Sequence, residues 1–86
     1  MELNHQMQHE LRRLSELSAQ LKGVENLWAE SYMSRQKAEA SGADLHELID
    51  YSEQIDYATS MIEIIKNMIV EHVRVLASIM AAQGED

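Results

Sequence analysis

Eighty-six residues with no Cys, Pro or Phe, and fifteen Asp and Glu against seven Lys and Arg, make a short acidic chain of formal charge −8. That balance repels phosphate backbones and anionic lipid surfaces, and the lack of Cys removes disulfides, thiolate metal sites and cysteine nucleophiles. Abundant Ala, Leu, Glu, Gln, Met and Ile with only three Gly is the composition of long helices, so the expected class is all-α in a single domain over 1–86.

The opening MELNHQMQHE lacks the charged-then-apolar plan of a secretory signal, and no run approaches the roughly 18 to 20 apolar residues of a membrane span. A cytoplasmic location is expected. The expected partners are another protein, a second copy of the chain, or both, rather than nucleic acid, membrane or a small-molecule substrate.

In the first arm Leu3, Met7, Leu14, Leu17, Leu21, Val24 and Trp28 fall on heptad positions a and d, with Leu11 and Tyr32 on an e flank. This is a narrow stripe at helical period. Gly23 lies within its length and costs about 1 kcal/mol relative to Ala; whether it bends or breaks the helix is left open. Beyond Trp28, Ser31, Ser34 and Arg35 replace apolar residues, which predicts fraying toward Ala40.

Ser41-Gly42-Ala43-Asp44 interrupts the pattern. Gly42 suits the left-handed end of one helix, and Asp44 followed by Glu47 has the spacing of a capping box opening the next. So short a turn predicts an antiparallel two-helix hairpin, about 3–40 and 44–82, with the turn near 41–44. Each arm measures roughly 55 to 60 Å at 1.5 Å per residue. The tail near 83–86 is expected to be disordered.

In the second arm Leu48, Tyr51, Ile55, Ala58, Ile62, Ile65, Ile69, His72, Leu76 and Ile79 fill a and d without a gap. Met61, Met68 and Val75 add position g, Val73 and Met80 add e, and Tyr57 and Ile64 add c, widening the apolar arc to about 200° where one neighbour needs about 100°. The first helix is expected to cover a, d and e. Tyr57, Met61, Ile64, Met68 and Val75 are then left as candidate partner-binding residues, and dimerisation or a partner is expected to complete a helical bundle. The methionines read two ways, as plain core of a self-dimer or as an adaptable apolar binding surface.

No phosphate loop, nucleophile elbow or paired catalytic carboxylates occur, so no enzymatic activity and no cofactor are expected. Glu2, His5 and His9 have the Glu-x-x-His spacing of carboxylate-bridged di-iron bundles, but the second arm has no matching motif. A frayed, solvated terminus accounts for them, and no metal site is expected. The acidic residues Glu39, Asp44, Glu47, Asp50, Glu53 and Asp56 cluster at the turn end, where they read as a solubilising tip.

One polar pair stands out. Glu10 and His72 each interrupt a d position, and folding about Gly42 brings position 10 near 73 or 74. Either the two meet and fix the register between the arms, as lone polar residues do in coiled coils, or each reaches solvent at the rim.

Over residues 44–75, the Ala58, Ile62, Ile64, Ile65, Met68 and Ile69 run in a short, acidic, Cys-free hairpin resembles the small helical-hairpin co-chaperones of type III secretion needle subunits. The resemblance implies a cytoplasmic adaptor that joins a helical-repeat chaperone and keeps a needle subunit soluble. The expected function is thus a small non-catalytic chaperone or adaptor; the alternative is a self-associating coiled-coil or four-helix-bundle scaffold.

Overall fold

The computed structural model describes residues 4–84. Two helices, α1 (His5–Ala40) and α2 (Leu45–Gly84), pack antiparallel along their whole length. The result is a slender rod of 66 × 16 × 14 Å. Its radius of gyration is 19.2 Å, against about 12 Å for a globular chain of this length.

The ends of the helices follow from local chemistry. Asn4 caps α1, its side-chain oxygen accepting the Met7 N–H at 2.8 Å. At the other end the Gly42 N–H donates to the Glu39 carbonyl at 3.1 Å and the Ala43 N–H to the Ala38 carbonyl at 2.9 Å. These are the paired bonds of a Schellman closure. It needs a left-handed residue, and Gly42 supplies it with φ 78°. Asp44 then accepts the Glu47 N–H at 3.0 Å and opens α2. Lys37 in the last turn of α1 and Glu47 in the first turn of α2 complement the two helix dipoles.

The expected fraying of α1 beyond Trp28 does not occur. The heptad period continues in polar and small residues: Ser31 is buried, and Ser34, Arg35 and Ala38 are half-buried against α2. The Ser31 hydroxyl donates to Gln54 Oε1 at 3.2 Å, so the seam here is joined by a hydrogen bond where apolar side chains end. Gly23 does not break the helix, which runs through it without interruption. At the far end α2 runs to Gly84, so Gln83 and Gly84 close a helix where a disordered tail was expected. Leu3, assigned to the head of the first stripe, and Glu85 and Asp86 of the tail lie outside the described residues.

The core is one seam wide. Met7 and Leu17 of α1 and Ala58 and Ile65 of α2 are its buried apolar residues, with Leu17 wholly enclosed. Leu14, Leu21 and Val24, and Leu48, Ile55, Ile62, Ile69, Leu76 and Ile79, are half-buried at its edges. Two round rods touch along a line, so even seam residues keep one side open. The surface is 6507 Å², about 1,300 Å² more than a globular protein of 9.8 kDa exposes.

Candidate functional site

The five flank residues lie along the g and c edge of α2. Tyr57 is 61% exposed and Ile64 51%, and Val75 is also exposed, whereas Met61 and Met68 are half-buried at the border of the seam. The methionines form the floor of a strip, with Tyr57 and Ile64 standing outside it. A shallow groove, lined by Ile64, Asn67, Met68, Glu71 and His72, has a predominantly apolar wall.

Helix α1 contributes to the same face, which sequence reasoning missed. Leu27, at a g position and exposed, lines a second shallow groove with Asp50, Glu53, Gln54 and Tyr57. In an antiparallel pair the g edges lie side by side, so a g residue on α1 widens the g flank of α2. That rule was the available signal. Gly23, one turn before Leu27 on the same side of α1, has no heavy atom within 4 Å of the place a Cβ would take.

The first helix does not cover the e edge as expected. Val73 is 48% exposed and Met80 54%, because the seam is only two residues wide and a slender neighbour cannot wrap beyond a and d. Leu11 and Val70 are exposed as well. This second apolar strip is interrupted at position e by Lys66; on the flank the g positions from Met61 to Val75 are uncharged, and Glu71 at position c is the charge among them. Trp28, assigned to the seam, is also turned outward. Its ring stacks on Tyr32 with centroids 5.4 Å apart, and Tyr32 is held by Gln36 Nε2 donating to its hydroxyl at 2.8 Å.

Glu10 and His72 meet across the seam, His72 Nδ1 paired with Glu10 Oε2. Their side chains keep only 13% and 26% exposure, which makes this the most sheltered ion-pair geometry among the described residues. The other two pairs, Arg13 with Glu16 and Arg74 with Glu71, join neighbours on one helix and stay more open. Pairs of that kind add little. His5 and His9 are exposed on the first turns of α1, and Glu2 lies outside the described residues. The acidic residues of the turn end are all exposed. No described helix is long and apolar enough to cross a membrane.

Comparison with known proteins finds no matching family model, no matching characterised protein and no matching solved structure.

Proposed function

We propose that this chain is a non-catalytic protein-binding module that uses the Tyr57, Met61, Ile64, Met68 and Val75 flank of α2 to complete a helical bundle with a partner. The observation that carries this reading is the exposure of Tyr57 and Ile64 on one continuous helix beside two half-buried methionines. A strip at this spacing fits the apolar face of another helix, and methionine lets it repack against varied side chains. In keeping with the resemblance over residues 44–75, the module acts as a small cytoplasmic chaperone or adaptor that shelters the apolar helix of an aggregation-prone subunit, as type III secretion co-chaperones do for needle subunits.

The test compares the parent chain with Ile64→Asp in capture from an extract of the native source. Circular dichroism should show the same helix content for both, because Ile64 lies outside the seam. Proteins retained by the parent should be lost from the variant, since an unpaired carboxylate would have to be buried in the interface. Identical retention by the two proteins would remove the flank from consideration as an interface.

A further inference from the structure

The flank has a centre. Helix α1 spans His5–Ala40 and α2 spans Leu45–Gly84, so Gly23 and Ile64 sit at the middles of their helices. Met61 and Met68 lie equally far on either side of the α2 midpoint. All four residues belong to the face made by the adjoining g and c edges.

Gly23 has no explanation within the hairpin. A Cβ there would meet nothing within 4 Å, and Gly42 is the chain's positive-φ glycine among the described residues. A glycine that weakens a helix interior without a steric or backbone reason inside the molecule fits a close approach from outside.

Charge divides at the same point. Residues 24–63, the turn half, hold nine carboxylates against Arg35 and Lys37, a formal −7. The rest of the chain holds six carboxylates, including the terminal Glu2, Glu85 and Asp86, against five cations, a formal −1. Two copies stacked turn to turn would oppose −7 with −7, whereas two stacked turn to open end set each −7 beside −1. An antiparallel pair about the middle of the face also brings Ile64 near Ile64 and Met61 of each copy near Met68 of the other, with Gly23 of each copy close by. The apolar strip from Tyr57 to Val75 runs about 27 Å, so reaching the roughly 800 Å² per partner of a stable interface also takes the polar g and c residues beside it on a rod 66 by 16 Å across.

We infer that, when no other partner is bound, a second copy of this chain covers the flank, packed antiparallel about a twofold axis at Ile64, near Gly23. The inference rests on the proposed role of the flank as an interface and names its resting occupant. A captured protein must then displace a copy, and the homodimer is the storage form of the binding face.

The experiment uses the full chain, whose lack of native Cys makes single-cysteine variants unambiguous. Sedimentation equilibrium should show a concentration-dependent dimer for the parent, weakened about 100-fold by Ile64→Asp because two carboxylates would meet on the axis. Under mild oxidation Ile64→Cys, on the proposed axis, should give a covalent dimer, and Ser18→Cys, exposed on the e edge, should not. A parent that stays monomeric at tens of micromolar, or equal cross-linking at both positions, overturns the second-copy inference. If the chain is monomeric yet Ile64→Asp still loses captured proteins, the binding-module reading stands and only its resting occupant is wrong. A dimer unaffected by Ile64→Asp uses another face and overturns the second-copy inference, and equal capture by parent and Ile64→Asp then defeats the binding-module reading as well.

Discussion

The two halves of the rod are held by different means. In the open half, Met7, Leu14 and Leu17 face Ile65, Ile69 and Leu76 in an aliphatic seam. In the turn half the facing residues include Ser31, Arg35 and Ala38 on α1 and Tyr51, Ser52 and Ile55 on α2, and a hydrogen bond from Ser31 to Gln54 links the two helices. The turn half is held at its end by the Schellman closure at Gly42 and the Asp44 cap. Tertiary burial therefore joins the helices where no backbone connects them, and local backbone bonding takes over where the turn already keeps them close. A short loop makes closure of the near contacts inexpensive in entropy, so the turn half tolerates a weak seam.

This contrast is open to attack from both ends. Leu17→Ala removes the wholly enclosed side chain of the open half and should destabilise the hairpin by about 2 to 5 kcal/mol. Thermal melting followed by circular dichroism would register it as loss of a cooperative transition, and a parent-like melt would mean the aliphatic seam is not what joins the arms. Next in size, His72→Leu leaves Glu10 sheltered without its partner and should cost about 1 to 3 kcal/mol. The double variant Glu10→Leu with His72→Leu should recover most of that loss in urea titrations, while losing the single register that the polar pair specifies. A double variant as weak as the single one would deny the pair any specific coupling.

Smaller effects belong to the turn. Gly42→Ala forces a side chain into φ 78° and should cost about 1 to 2 kcal/mol. Asp44→Ala removes the cap of α2 and should cost about 1 kcal/mol. Hydrogen exchange should show both losses concentrated between residues 38 and 50, leaving amides near Leu17 protected, and uniform loss of protection would erase the distinction between halves. The smallest change has the opposite sign. Gly23→Ala should raise hairpin stability by up to about 1 kcal/mol while loosening the antiparallel dimer, so melting of dilute and concentrated samples should shift in opposite directions.

Much of this plan was legible in the residues. Gly42 and Asp44 announce a turn because only certain residue types satisfy a left-handed closure and an amide cap. The a and d positions of α2 are legible because ten of them follow one another at heptad spacing from Leu48 to Ile79. That Glu10 and His72 lie near each other follows from folding two heptad patterns about the turn, whereas that they pair and do not each reach solvent is seen only in the structure. What escaped was set by amounts rather than patterns. Ser31, Arg35 and Ala38 keep the period but not the apolarity, so a reading based on apolarity ends the helix too soon. Val73 and Met80 look coverable until the neighbour proves to be a single helix, and Trp28 finds its partner on its own helix in Tyr32. Gln83 and Gly84 are helical although no upstream residue marks them as such.

The outward stacking of Trp28 on Tyr32 has a practical consequence. It is the chain's single tryptophan, and its ring stacks on Tyr32 of the e edge, the edge opposite the g positions. Its emission is therefore an intrinsic optical reporter with a built-in direction. A companion that docks only on the g face should leave the spectrum nearly unchanged, and one that wraps both edges should shift it toward the blue. The molecule thus carries its own means of telling a one-sided embrace from an encircling one.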